Sequence, residues 1–83
     1  MFFYVYILQS LKYPAHFYTG HTTDLIKRLS KHNEGGCKHT DKYRPWKIRT
    51  SIAFDTKDKA LVFEKYLRSH SGRDLLKNTS EYK

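Results

Sequence analysis

From Phe2 to Gln9 the chain is dense in aromatic and β-branched residues, with Phe3, Val5 and Ile7 on one face of an extended segment and Tyr4, Tyr6 and Leu8 on the other. Both faces are apolar, which predicts a central strand. Ser10 to Ala15, with Lys12 and Pro14, reads as a turn that returns the chain through His16–Gly20 as an antiparallel partner. Tyr6 and Tyr18 then project from adjacent strands towards the same region. Gly20 is expected to break this second strand and open a polar turn. A helix starts near Thr23 or Asp24, where a side-chain oxygen can cap free backbone N–H groups. Leu25 and Leu29 are spaced to face a core, while Arg28 and His32 stand on neighbouring turns of one side.

Glu34-Gly35-Gly36 ends that helix, and Cys37 to Pro45 reads as a flexible basic loop. Trp46 to Phe54 alternates, placing Ile48, Ile52 and Phe54 opposite Lys47, Arg49 and Ser51 in a third strand with one wetter face. From Lys57 to about Ser69 the period becomes helical, with Ala60, Phe63 and Leu67 in a stripe and a cap at Thr56. Ser71 to Lys77 reads as a turn and short terminal helix, and Asn78 to Lys83 as a frayed tail. The order is β-β-α-β-α-α, an α+β arrangement, and 83 residues allow one domain with a small core.

Composition narrows the partner. Lys plus Arg number 16 against 8 for Asp plus Glu, a formal charge of +8, and aromatics make up 16% of residues. A basic, aromatic-rich surface suits a phosphate backbone, which favours nucleic acid over mere solubility. One cysteine, Cys37, allows no internal disulfide and points to a reducing, cytoplasmic home. Cys37 with His39 and His32 lacks the paired spacing of a structural zinc site, so a free loop thiol is expected. The apolar opening is too short to span a bilayer and has no basic leader, which argues against a membrane partner.

Taken singly, the polar and aromatic residues have bland explanations. Tyr6 and Tyr18 sit in strands where tyrosine is favoured for packing. Arg28 and His32 suit an exposed helical face among Lys27 and Lys31, Gly20 suits a structural turn, and Glu64 suits a solvated helix edge beside Lys65 or Arg68.

Taken in order, the same residues resemble the GIY-YIG nucleases, especially small stand-alone prokaryotic members. Tyr4-Val5-Tyr6 matches the first tripeptide of the family name and Tyr18-Thr19-Gly20 the second, and the pattern continues through Arg28, His32-Asn33 and Glu64. Arg44-Pro45, Glu64-Lys65-Tyr66-Leu67 and Ser71-Gly72-Arg73 extend the likeness to nearly the whole chain. The sequence departs from the name at Tyr4 and Val5, in place of Gly-Ile, and at Thr19, in place of Ile. The resemblance implies a compact, mainly antiparallel three-stranded sheet flanked by helices. It also implies a nuclease that cuts DNA phosphodiesters with one Mg²⁺ or Mn²⁺ ion, in DNA repair or recombination.

In that reading Glu64 binds the metal and Arg28 stabilises phosphoryl charge. Tyr6 acts as base or water-positioner, with Tyr18 and His32 assisting proton movement. A tyrosine with an ordinary pKa of about 10 needs nearby positive charge to act as a base. Lys38, Lys42, Arg44, Lys47 and Arg49 are candidate contacts to the nucleic-acid backbone, which position without reading sequence. RNA remains an alternative substrate, and targeting through a partner protein is a further expectation. Two other classes stand beside the nuclease: a nucleic-acid-binding module that cuts weakly or not at all, and a protein-interaction adaptor using Tyr43 and Trp46.

Overall fold

The computed structural model describes residues 1–69. The predicted terminal helix from Ser71 and the tail to Lys83 lie outside them. Strands β1 (Phe3–Ser10), β2 (Phe17–Thr22) and β3 (Trp46–Phe54) form one antiparallel sheet in the order β2-β1-β3. Helices α1 (Leu25–Asn33), α2 (Lys38–Asp41) and α3 (Lys57–Arg68) complete the α+β fold. The strand that is apolar on both faces is thus the central one, for the physical reason its sequence gives.

The two faces of β1 seed two cores. Val5 and Ile7 join Ala60 and Leu67 of α3, with Phe3, Phe17, Phe54 and Phe63 around them. Tyr6 and Leu8 join Trp46, with Tyr18, Leu25, Leu29, Tyr43 and Ile48 around them on the α1 side. α3 uses its expected stripe, and its Thr56 side chain accepts from the Lys59 amide at 3.3 Å. α1 is capped by Asp24, which accepts from the Lys27 amide at 3.0 Å. It closes in a Schellman turn: the Gly35 amide donates to the His32 carbonyl, the Gly36 amide donates to Lys31, and Gly35 takes a φ of 81°.

Three local expectations are corrected. The second strand does not break at Gly20 but runs on to Thr22, with Gly20 paired to Tyr6 and no positive φ there, so Gly20 is not a turn residue. The third strand does not keep Ile48, Ile52 and Phe54 on one face. Ile7 pairs with Thr50 but Leu8 pairs with Ile48, leaving Arg49 as the extra residue of a bulge. A bulge inverts the alternation, so Ile48 faces α1 while Ile52, paired with Val5, and Phe54 face α3. Within the basic loop, Lys38–Asp41 forms a short helix. Its Thr40 is buried, and the Trp46 indole donates to the Thr40 carbonyl at 2.9 Å.

A candidate active site on two faces of one strand

The α1 stripe of Leu25, Arg28, Leu29 and His32 points at the sheet, and His32 is only 1% exposed. Its Nε2 lies 3.0 Å from the Tyr6 hydroxyl and its Nδ1 lies 2.8 Å from Thr40 Oγ1. The tautomer follows from the end of this chain. Thr40 has one hydroxyl proton, and it donates to the Cys37 carbonyl, an acceptor only, at 3.3 Å. Thr40 therefore accepts from His32 Nδ1–H, which leaves the Nε2 lone pair to accept from Tyr6. Tyr18 stacks obliquely on His32, with ring centroids 5.1 Å apart.

Gly20 explains how Tyr6 fits. A Cβ at position 20 would stand 2.5 Å from the Tyr6 hydroxyl oxygen and 2.8 Å from Cζ. The glycine is needed for close approach of a ring to the strand, not for a turn. Asn33, next to His32, fixes the end of α1 to β3: its Oδ1 accepts from the Trp46 amide at 2.6 Å and its amide donates to the Trp46 carbonyl at 3.1 Å.

Burial sets the protonation of this cluster. Desolvation pushes the Tyr6 phenol up to about 12, opposed by the charge and hydrogen bond of Arg28. Desolvation, then the charges of Arg28 and Lys31, hold His32 below its ordinary value. At neutral pH the pair is a neutral phenol donating to a neutral imidazole. Moving that proton outright to His32 is therefore disfavoured at both ends, by a raised phenol and a depressed imidazole.

The residue after Gly20 carries the second half. His21 faces the other side of the sheet, as alternation requires, and its Nδ1 lies 2.5 Å from Glu64 Oε1. Arg68 binds Glu64 Oε2 at 2.8 Å and also donates to the Thr19 carbonyl at 2.6 Å. Glu64 is 9% exposed and lies in the buried stripe of α3 between Ala60 and Leu67, not on a solvated edge. A buried carboxylate requires such partners.

The five basic residues expected to contact a backbone do not form one patch. Lys38, Lys42 and Arg44 lie on α2 and the linker after it, with Arg44 paired to Asp41 at 3.0 Å. Lys47 pairs in register with Gln9 and so shares the α3 face of the sheet. Arg49 donates to Gln9 at 3.0 Å and lies over the Phe17 ring at 5.7 Å on that same face. A cleft of about 720 Å³ instead follows α1, lined by Thr22, Asp24, Lys27, Arg28 and Lys31 among others.

Comparison with known proteins decides the family. A family model described as the GIY-YIG catalytic domain matches residues 2–78. The chain belongs to the GIY-YIG family. A UPF0213 protein of Staphylococcus saprophyticus is 38% identical over 79 residues, covering 94% of either chain. The structure-specific endonuclease subunit slx1 of Talaromyces marneffei is 42% identical over 69 residues, which are 76% of this chain but 18% of that protein. The solution NMR structure of a UPF0213 protein from Bacillus halodurans superposes with a TM-score of 0.55 at 33% identity, covering 94% of this chain and 84% of that one. Within this GIY-YIG nuclease domain the tyrosines, Arg28 and His32 were readable from the motif. His21 and Thr40 were not; Arg68, offered by the sequence as a partner of Glu64, does pair with it one helical turn on. Among the described residues, no helix is long and apolar enough to cross a membrane.

Proposed function

We propose that this GIY-YIG domain is a divalent-metal-dependent endonuclease that hydrolyses DNA phosphodiester bonds, with structure selectivity in repair or recombination as its setting. The observation that carries the reading is the buried chain Tyr6–His32–Thr40 beside Arg28, one residue along β2 from the residue that holds Glu64.

The donors suit a hydrated, oxygen-seeking ion. Among the described residues there is no group of three or more His, Cys, Asp or Glu side chains arranged to hold a metal, which disfavours an all-protein zinc-type cage. Mg²⁺ and Mn²⁺ accept a single carboxylate with waters and substrate phosphate completing the shell. Glu64 meets that need, since each of its oxygens meets one protein donor and keeps a second lone-pair direction. When bound, such an ion neutralises phosphoryl charge and acidifies water.

The chain's own residues supply the rest. Arg28 faces the α1 cleft as a fixed charge donor for the phosphoryl group, with Lys27 and Lys31 tracking the backbone. Tyr6 keeps its proton at rest, so its oxygen can accept from a water while its hydroxyl donates to His32. A proton taken from that water passes through Tyr6 to His32 Nε2 in one relay, with no free phenolate. Tyr18 shields the imidazole, and Thr40 holds its tautomer.

The test is nicking of supercoiled plasmid and branched DNA with Mg²⁺, Mn²⁺ or chelator, for the wild type beside Glu64→Ala and Tyr6→Phe purified identically. Metal-dependent nicking lost in both variants is expected. Tight binding without nicking in every protein would replace the nuclease by a binding module.

A further inference from the structure

The end of the sheet at Ser10 carries a second aromatic cluster that the proposed hydrolysis does not use. His16 and Tyr43 stack with centroids 4.2 Å apart and planes 22° from parallel. Tyr13 stands nearly perpendicular to both, at 6.0 and 5.6 Å. The cluster is braced from below. Ser10, buried, accepts from the Tyr13 amide at 2.9 Å and donates to the Tyr43 carbonyl at 2.6 Å, and Tyr43 meets the buried Trp46 edge-on at 6.3 Å. From above it is open: Tyr13 is 44% exposed and His16 is exposed. Lysine ammonium groups cover the ring faces, Lys12 at 5.5 Å from the Tyr13 centroid and Lys42 at 5.6 Å from that of Tyr43. Asp41, the acidic neighbour in this linker, is paired with Arg44.

A rigid aromatic ring beside flexible cations is the chemistry that receives a nucleobase and its phosphate. Every base has a π-face, and the lysine displaced from the ring can turn to the phosphate. Bracing before binding means that little ordering is required on contact. We propose that Tyr13, with His16, Tyr43, Lys12 and Lys42, binds an unpaired nucleotide by stacking its base on the Tyr13 ring. Ser10, which braces the cluster, follows Tyr6 by four residues on the same face of β1. The stacking does not rest on the nuclease reading.

The experiment is equilibrium binding in chelator, where nothing is cut, using a duplex bearing a short single-stranded flap with 2-aminopurine in the flap, against the plain duplex. The wild type is expected to prefer the flap and quench the probe, with DNA or RNA flaps. Tyr13→Ala is expected to weaken flap binding about tenfold and abolish quenching while plain-duplex affinity holds. Tyr13→Trp, which keeps a ring, is expected to retain both signals. Equal weakening of flap and duplex in Tyr13→Ala, absence of quenching with both flaps, or failure of Tyr13→Trp to retain it would overturn the proposal. Plasmid nicking in the same proteins tells this failure from failure of the nuclease reading.

Discussion

On the α1 side of the sheet the buried polar atoms form a neutral chain from Tyr6 through His32 to Thr40, whereas on the α3 side a buried carboxylate, Glu64, is gripped by His21 and Arg68. Each side is stabilised by the partners its burial demands, but the demands differ. Neutral groups need directed hydrogen bonds, and one misplaced proton breaks the chain. A carboxylate needs positive charge or donors, and its holders can be exchanged for an incoming cation. β2 joins the two sides through consecutive residues, Gly20 under the Tyr6 hydroxyl and His21 against Glu64. The comparison teaches that a neutral hydrogen-bonded chain and a buried charged pair are built separately on opposite faces of the sheet, linked through consecutive residues of β2.

The largest expected effect comes from the charge that reaches into the neutral side. Arg28→Ala should lower single-turnover nicking by about 10²–10³-fold, the loss typical of one fixed donor to developing charge. Because Arg28 pulls both Tyr6 and His32 down, the same variant should raise both titrations, readable for His32 by NMR. A rate loss without any movement of His32 would separate Arg28 from the neutral chain.

Gly20→Ala forces its new methyl against the Tyr6 ring and should destabilise by about 1–3 kcal/mol in thermal unfolding. It should cut nicking by more than its stability loss explains, since the hydroxyl must leave His32. In a Tyr6→Phe background the stability loss should shrink, because the nearest clashing atom is gone. Full tolerance of Gly20→Ala would mean the ring is not held where the geometry places it.

Thr40→Val keeps the shape but leaves His32 Nδ1–H without its acceptor, for an expected loss of about 1–2 kcal/mol. Arg68→Ala should be milder for stability, under about 1 kcal/mol, because the guanidinium is half exposed and solvent screens it. It should still slow nicking, since Glu64 loses one of the two groups that fix its position. Equal stability losses for the two would erase the distinction between the neutral and charged sides.

The smallest expected effect is on pH. His32 is held below 6.5 in the folded state, so as pH falls through 6.5 the unfolded chain binds protons first. This part of the stability is present above 6.5 and declines on acidification until folded His32 also protonates. His32→Gln should flatten that part of a stability-against-pH curve.

Much of this was legible in the chain. β1 announced itself as central because both its faces are apolar, and the four-residue spacing of Arg28 and His32 put them on one side of a helix. The bland reading of Glu64 as a solvated edge beside Lys65 or Arg68 held for the Arg68 pair but missed the burial, because the partner on the sheet, His21, is 43 residues away in sequence. Thr40 looked like loop because four residues of α2 give no periodic signal. The bulge at Arg49 left no mark either, since an alternating strand reads the same whether or not one residue is extra. Short-range pattern encodes faces; pairing across the sheet decides which polar groups meet.

The most direct measurement of the central claim, that a neutral Tyr6–His32 relay carries the proton, is the single-turnover nicking rate of the wild type from about pH 5 to about pH 10 at saturating metal. The account predicts a rate that rises with pH through the depressed titration of His32 and levels before neutral pH, with Tyr6→Phe low throughout. A rate that keeps climbing towards the Tyr6 titration near 12, or a Tyr6→Phe variant with the wild-type profile, would contradict it.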